Sequence, residues 1–414
     1  MTEARVVTLG CRLNTFESEI IRQEAAAIGL RETVVVNTCA VTSEAVRQAR
    51  QTIRKLRRQN PHSRIIVTGC AAQLDAETFS AMPEVDHVIG NHEKLDRHAL
   101  GQTERAVAVS DIMEVRQTAG HLVHGFDGRV RAFAQVQQGC DHRCTFCIIP
   151  FARGPNRSME PERIIDQVRH LIAGGFREVV LTGVDICSYG RESDGHPTLG
   201  ALVRQILKDI PELPRLRLSS LDPAAIDDAL FEALGDDPRL MPHWHLSLQA
   251  ADDLVLKRMK RRHSRAMVHQ VVERARTARP DMVFGADLIA GFPTETDQMF
   301  ANTLSAVGEF GLTYLHVFPY SPRPGTPAAR MPQVAKTIRE ARARQLREAG
   351  ARAHDRFVHS RIGSTTDILV ETERLGRCPY YTAVRLPSPA TAGTIVRVRI
   401  TGVCDHELTC EYAP

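Results

Sequence analysis

Short apolar runs recur along this chain at the spacing of strands that alternate with helices. The first hundred residues hold four of them: Arg5-Val6-Val7-Thr8-Leu9, Val34-Val35-Val36, Ile65-Ile66-Val67 and Val88-Ile89. Residues 17–28 and 43–58 between them carry helical spacing. Short buried strands separated by helices predict an α/β fold that begins with an open parallel sheet. The alternation resumes at Arg131. Strands are expected over 132–137, 179–184, 216–219, 243–248, 283–289 and 315–318, with helices over 161–173, 199–208, 252–259 and 266–277. This is about six βα units, fewer than the eight that close a full barrel, so a crescent-shaped partial (βα)6 barrel follows. Its site belongs at the carboxyl ends of its strands. Residues 331–352 predict a long basic helix. Beyond it, short strands over 365–371, 380–385 and 394–401 and around Leu408 and Cys410 predict a small β-barrel. Val396, Val398 and Ile400 share one face there, and Arg397 and Arg399 the other. Barrels of this size commonly bind oligonucleotides; a plain structural cap is the competing reading. The domains expected are 1–105, 126–352 and 353–414, with Gly101, Gly120, Gly125 and Gly128 marking the first connector.

Composition narrows the class. Hydrophobic residues make up 43% and charged residues 25% of the 414 residues, as in ordinary globular proteins. No apolar stretch has the length of a membrane span, and the N-terminus lacks a signal-peptide core, so a cytoplasmic protein is expected. Ten cysteines in that compartment are ligands or buried thiols rather than disulfides. The net charge of +4 permits an RNA partner without demanding one. Two basic runs are candidates for phosphate contact: Arg47, Arg50, Arg54, Arg57 and Arg58 at helical spacing, and Lys257, Arg258, Lys260, Arg261 and Arg262. A solvated face explains either run equally well.

The chemistry is concentrated in Gly139-Cys140-Asp141-His142-Arg143-Cys144-Thr145-Phe146-Cys147. Three thiolates this close can grip one face of an iron–sulfur cluster. A cubane needs four ligands, so three cysteines leave one iron open to a small chelating cofactor. The spacing resembles that of radical S-adenosylmethionine enzymes. A structural zinc site, with His142 as fourth ligand, is the alternative. A second set is spread out. Cys11, Cys39 and Cys70 each follow one of the first three predicted strands. In an open parallel sheet those strand ends share one edge, where ligands bind. Three cysteines there make a second metal site, against the reading of three unrelated buried thiols.

Taken together, the chain resembles the radical S-adenosylmethionine methylthiotransferases over nearly its whole length: a cluster-bearing N-terminal domain, a radical core and a TRAM-like β-barrel. Thr8-Leu9-Gly10-Cys11-Arg12-Leu13-Asn14, Gly139-Cys140 through Arg153-Gly154, and His316-Val317-Phe318-Pro319-Tyr320-Ser321 are similar to the branch that modifies N6-threonylcarbamoyladenosine in tRNA. Sister branches act on isopentenyladenosine in tRNA or on an aspartate of a ribosomal protein. A non-catalytic metal-containing RNA-binding protein is the distant alternative. The resemblance implies two 4Fe-4S clusters, one on Cys140, Cys144 and Cys147 and an auxiliary one on Cys11, Cys39 and Cys70. It implies S-adenosylmethionine at the first cluster, with Phe146 against the adenine and Gly183 letting backbone approach the methionine end. Ser247, Gln249 and Asp287 would bond the ribose or the methionine carboxylate. Plain packing and turn roles compete for Phe146 and Gly183. Arg50, Arg54, Arg57, Arg397 and Arg399 would hold the tRNA anticodon stem-loop. An electron donor such as flavodoxin or ferredoxin, an unidentified sulfur donor and a monomeric state complete the expectation. The small barrel, coming after a complete radical core, is expected to be separable from the chemistry. One departure stands out: Ser247-Leu248-Gln249 runs into Ala250-Ala251 where the family tends to have a small residue and glycine, and alanine resists positive backbone angles.

Overall fold

The computed structural model describes residues 3–102, 106–116, 122–126, 128–192 and 195–413. Gly120 of the predicted connector lies outside them. The first strands are β1 (Arg5–Thr8), β2 (Thr33–Thr38), β3 (Arg64–Gly69), β4 (His87–Ile89) and β5 (Val107–Ala108), and they form one parallel sheet in that order. β5 falls in the stretch read as connector, because a two-residue edge strand leaves no periodicity to detect. Alternate residues serve opposite faces. Val34, Val36, Ile65 and Val67 pack with Ile53 and Leu56 of α2 (Ser43–Gln59). Val35, Ile66 and Ile89 pack with Ile21 of α1 (Arg12–Ala27) and with Leu100. Burial on both faces is why the strands read as unbroken apolar runs. The helix α1 starts five residues before the expected position. Its N-cap is Cys11, which supplies no capping hydrogen bond, so the usual start signal is missing.

Six strands make the partial barrel: β6 (Arg131–Gln135), β7 (Glu178–Thr182), β8 (Arg215–Leu218), β9 (His243–Gln249), β10 (Val283–Ala290) and β11 (Leu312–Pro319). β6, β7 and β8 pair in parallel; Ser220–Leu221 carries the line of β8 onto β9, and β9, β10 and β11 pair in parallel. Trp244, Leu246 and Leu248, like Phe284, Ala286 and Leu288, join the core under the helices. The other parity lines the lumen: His243, His245, Ser247 and Gln249 on β9, and Gly285 and Asp287 on β10. Helices over Asp228–Asp236 and Asp297–Glu309 were not anticipated, although Asp227 and Thr296 cap them with side-chain oxygens. The N-terminal sheet reaches both edges of the crescent. Phe16 and Ile20 of α1 enter the core beside Phe126 and Phe133 at β6. At the other edge, the Ser43 amide donates to Ser321 Oγ at 3.1 Å and its hydroxyl to the Pro322 carbonyl at 3.2 Å, just past β11.

The long helix runs over Lys336–His359, and its Ala343, Leu346 and Ala353 pack into the barrel core. Five strands follow, β12 (Thr365–Thr372), β13 (Leu375–Arg377), β14 (Ala383–Arg385), β15 (Ile395–Cys404) and β16 (Glu407–Tyr412), closed into a small barrel. Val398 and Ile400 are buried while Arg397 and Arg399 are exposed, as the alternation predicts. The strand expected over 380–385 shrinks to three residues, because the turn before it sends Tyr381 (φ +73°) into the floor of the larger barrel. Arg215 donates to the Arg377 and Asp367 carbonyls at 3.1 and 2.8 Å, and Arg217 to the Pro379 carbonyl at 3.1 Å. The small barrel is therefore built into the core. Cutting it away would take these carbonyl acceptors from Arg215 and Arg217, which are 3% and 1% exposed, and leave them Glu178. Among the described residues no helix is long and apolar enough to cross a membrane.

Candidate active site

The C-x3-C-x2-C loop is held by its backbone. Gln137–Gln138 pairs antiparallel with Arg157–Ser158 at its neck. Gly139 sits at φ +72°, and a Cβ there would come 1.8 Å from the Pro155 carbonyl oxygen. The Cys140 amide donates to the Gly154 carbonyl at 3.0 Å, and the Cys147 amide to the Cys144 carbonyl at 3.0 Å. Thr145 donates to the Met259 carbonyl at 3.1 Å and accepts from the Ala328 amide at 2.9 Å. Burial, with the neighbouring thiols adding to it, pushes Cys147 up to about 12, and burial with Asp185 nearby drives Cys140 higher still. Arg261 lies against the third thiol, its Nη1 3.6 Å from Cys144 Sγ, and its Nη2 donates to the Ser247 carbonyl at 2.7 Å. Buried thiols such as Cys140 and Cys147 that resist ionising suit a polycationic centre, which displaces their protons. Among the described residues neither cysteine triplet brings its sulfurs within 4.8 Å of one another. Ligands around one zinc, at Zn–S of about 2.3 Å, stand about 3.8 Å apart. Cys140, His142 and Asp185 do come within 4.8 Å of one another, and His142 is engaged with Asp185 at 2.9 Å. Replacing Gly139 by alanine is expected to cost about 1–3 kcal/mol in forced backbone movement and to lower the iron held by this loop; iron analysis after anaerobic reconstitution checks it.

Cys11, Cys39 and Cys70 stand at the carboxyl ends of β1, β2 and β3, on adjoining loops. A Cβ on Gly10 (φ +106°) would lie 2.7 Å from Cys39 Cβ, and one on Gly69 (φ +95°) would lie 2.4 Å from the Thr38 amide nitrogen. Cys39 is pushed up to about 11 by burial and by Cys70 and Cys11 beside it. Cys11 is exposed and Cys70 buried, so the set opens on one side.

One side chain joins the two cysteine sets, and the sequence reading did not single it out. Arg153 ends the short helix Ile149–Arg153 that follows Cys147. It is 2% exposed, and its Nε donates to Cys70 Sγ at 3.2 Å. Its remaining nitrogens reach Glu17 Oε1 and Oε2 at 2.7 and 3.0 Å, Gln138 Oε1 at 2.9 Å and Asn14 Oδ1 at 2.5 Å. Lys94 Nζ completes the buried group, 2.6 Å from Glu17 Oε2 and 2.7 Å from Asn91 Oδ1. Burial alone would raise the Glu17 carboxyl; Arg153 and Lys94 bring it down to about 2.

The residues expected around S-adenosylmethionine line the upper lumen. Phe146 packs with Met259, Ile289 and Phe292. Gly183 is a glycine for want of room, since a Cβ would meet the Gln137 carbonyl at 2.8 Å. Gln249 takes φ +69°, so the positive angle falls one residue before the alanines, and Ala250 and Ala251 are buried. Asp287 does not stand free: its Oδ1 lies 3.0 Å from His245 Nε2 and 3.2 Å from His316 Nδ1. Burial opposes its charge, but the two imidazoles hold its carboxyl well below the usual range. A carboxylate cannot hydrogen-bond another without a proton between them, so a contact with the methionine carboxylate is disfavoured for Asp287.

The arginines of the first basic stripe have acidic neighbours. Arg50 lies 3.6 Å from Asp75, Arg54 3.9 Å from Glu84, and Arg57 pairs with Asp86 while donating to the Glu84 carbonyl at 2.9 Å. In the second run Arg261 and Arg262 turn to Asp222, at 3.3 and 3.0 Å. Arg397 stands 3.8 Å from Asp367. Cys187, Cys378 and Cys410 are buried in apolar clusters and Cys404 is exposed.

A partial (βα)6 barrel with this triplet after its first strand defines a radical S-adenosylmethionine enzyme, a class that works with an iron–sulfur cluster and S-adenosylmethionine. Residues 135–307 match the Radical SAM superfamily and residues 3–90 the "Uncharacterized protein family UPF0004". A threonylcarbamoyladenosine tRNA methylthiotransferase MtaB of Rickettsia prowazekii is 50% identical over 98% of this chain and 96% of its own. A protein of the same name from Aquifex aeolicus is 33% identical over 95% and 98%. A tRNA-2-methylthio-N(6)-dimethylallyladenosine synthase of Maricaulis maris is 33% identical over 98% and 96%. Among solved structures, the radical S-adenosylmethionine methyltransferase TsrM of Kitasatospora setae superposes with a TM-score of 0.57 at 15% identity, over 79% of this chain and 75% of that one. The chain belongs to the MtaB family of radical S-adenosylmethionine methylthiotransferases.

Proposed function

We propose that this chain inserts a methylthio group at C2 of N6-threonylcarbamoyladenosine at position 37, next to the anticodon of tRNA. The observation that carries the reading is the pair of three-cysteine sets joined by Arg153, together with half the residues shared with an MtaB over the full length. Cys140, Cys144 and Cys147 would hold the radical cluster, and Cys11, Cys39 and Cys70 the auxiliary one. When bound, the first supplies the electron that splits S-adenosylmethionine to a carbon radical and the second supplies the sulfur. The C–H bond at C2 is not removed by ordinary acid–base groups, which is why the site needs this equipment. The protein's own part is orientation and exclusion of water. Arg261 sets a positive charge against Cys144 and fixes the carboxyl end of β9 through Ser247. Phe146 and Gly183 shape the lumen wall for S-adenosylmethionine. A flavodoxin or ferredoxin would supply electrons to a monomer.

Nucleoside mass spectrometry of bulk tRNA from a strain lacking the protein tests the reading. The 2-methylthio derivative of threonylcarbamoyladenosine is expected to vanish and its precursor to accumulate, with full rescue by the wild-type chain. Unchanged levels, or loss of an isopentenyladenosine derivative instead, would refute it. The exposed face of β15, with Arg397 and Arg399 open to solvent, is one surface for phosphate contact. Replacing Arg397 and Arg399 together by glutamine should weaken stem-loop binding and make its log–log salt slope shallower by up to about 2. Cleavage of S-adenosylmethionine should be unaffected.

A further inference from the structure

Where the floor of the lumen meets the small barrel, positive charge is in excess. The Tyr381 ring is surrounded by guanidiniums: Arg377 at 4.7 Å from its centroid, Arg131 and Arg217 at 5.0 Å, and Arg12 at 5.7 Å. His243 stacks on its face at 5.4 Å. Burial would raise this phenol, yet Arg12 and Arg131 bring it down to about 8. Most of these cations are already paired. Arg217 forks onto Glu178 at 2.9 and 3.2 Å, Arg377 onto Glu371 at 3.1 and 3.3 Å, and Arg131 pairs with Glu371 at 2.8 Å. Arg12 is the exception. Among the described residues no acidic side chain pairs with it, and its Nη2 donates to the Tyr381 hydroxyl at a long 3.4 Å. Arg217 Nη1 is buried behind the ring without a hydrogen-bond partner. Arg12 also directly follows Cys11, the exposed thiol of the second set.

We infer that Arg12, beside Tyr381, receives a carboxylate carried on the N6 substituent of the substrate base. The inference rests on the threonylcarbamoyladenosine reading and adds to it the group that selects this base. A threonylcarbamoyl substituent ends in a carboxylate, whereas a dimethylallyl group is apolar. A guanidinium is the side chain that meets a carboxylate with two parallel hydrogen bonds. C2 is separated from the N6-bearing carbon by a single ring nitrogen. Arg12 follows Cys11 on the chain, so an N6 substituent held by Arg12 keeps the base on the side of the second cysteine set.

The test uses anaerobically reconstituted full-length protein and anticodon stem-loop RNAs that differ only at position 37. Wild type is expected to bind the threonylcarbamoyl stem-loop on the order of tenfold tighter than the same RNA with plain adenosine. A stem-loop whose threonyl carboxylate is blocked as a methyl ester should bind only as well as plain adenosine, an arm that needs no variant protein. Arg12→Gln should erase the tenfold preference while leaving affinity for the plain stem-loop, bound iron and RNA-free cleavage of S-adenosylmethionine intact. A preference that survives Arg12→Gln or the ester overturns the inference but not the proposed function. Equal weakening for every RNA makes Arg12 a phosphate contact, and a raised KM for S-adenosylmethionine makes it a cofactor contact; either overturns it. Wild type that prefers an isopentenyladenosine stem-loop overturns the proposed function itself.

Discussion

Replacing Cys140, Cys144 and Cys147 together by alanine is expected to remove about half of the bound iron and to abolish reductive cleavage of S-adenosylmethionine. The reciprocal change at Cys11, Cys39 and Cys70 should also remove about half of the iron, keep that cleavage and stop sulfur transfer to the stem-loop. The two sets sit on different frameworks, which is why they should fail separately. One loop is fixed by Gly139, Gly154 and Met259 of the radical barrel, the other by the touching ends of β1, β2 and β3. Iron and sulfide analysis, with chromatography of 5′-deoxyadenosine, reads both halves. Full iron retention in the second variant would mean that Cys11, Cys39 and Cys70 hold no cluster.

Both cysteine sets were legible because each is local to a strand end. A run such as Val34-Val35-Val36 predicts a buried strand, and a cysteine a few residues past it must lie at the sheet's edge. What sequence periodicity could not see is the partner across space. Arg50, Arg54 and Arg57 share a helix face, which reads as a phosphate-binding stripe. Their neighbours Asp75, Glu84 and Asp86 come from segments after the next strand. Arg261 reads as one cation in a basic run, yet it faces Cys144 and Asp222, over a hundred and about forty residues upstream. Tyr381 looked like part of a strand, because the reason for its left-handed backbone lies in the floor of a different domain. His245, Asp287 and His316 were hidden differently. Their contact follows from parallel register, Asp287 opposite His316 in the β10–β11 ladder, which is known only once the strands are paired.

Arg153→Met is expected to be the most damaging single substitution outside the cysteines. Methionine fills much of the volume but donates nothing to Glu17, Gln138, Asn14 or Cys70. Breaking a buried charged group by removing one partner costs about 3–5 kcal/mol, which is a large part of a domain's stability. Glu17 keeps Lys94 and the Gln138 amide but loses its second cation, so its carboxyl should rise from about 2 toward the ordinary 4.5. That rise changes how stability depends on pH. In wild type the depressed carboxyl contributes about 3 kcal/mol above pH 4.5, and this is lost as pH falls toward 2. The variant has less of that contribution to lose, so its stability should fall less steeply through the same window. Urea unfolding of the metal-free protein at several acid pH values measures both the offset and the slope. Arg153→Lys separates charge from geometry. Lysine restores the positive charge near Glu17 but cannot reach four partners with one ammonium. It should therefore recover most of the pH slope and little of the iron held by Cys70. An Arg153→Met protein as stable as wild type, with an unchanged slope, would show that the buried group holds neither the sheet nor the loop in place.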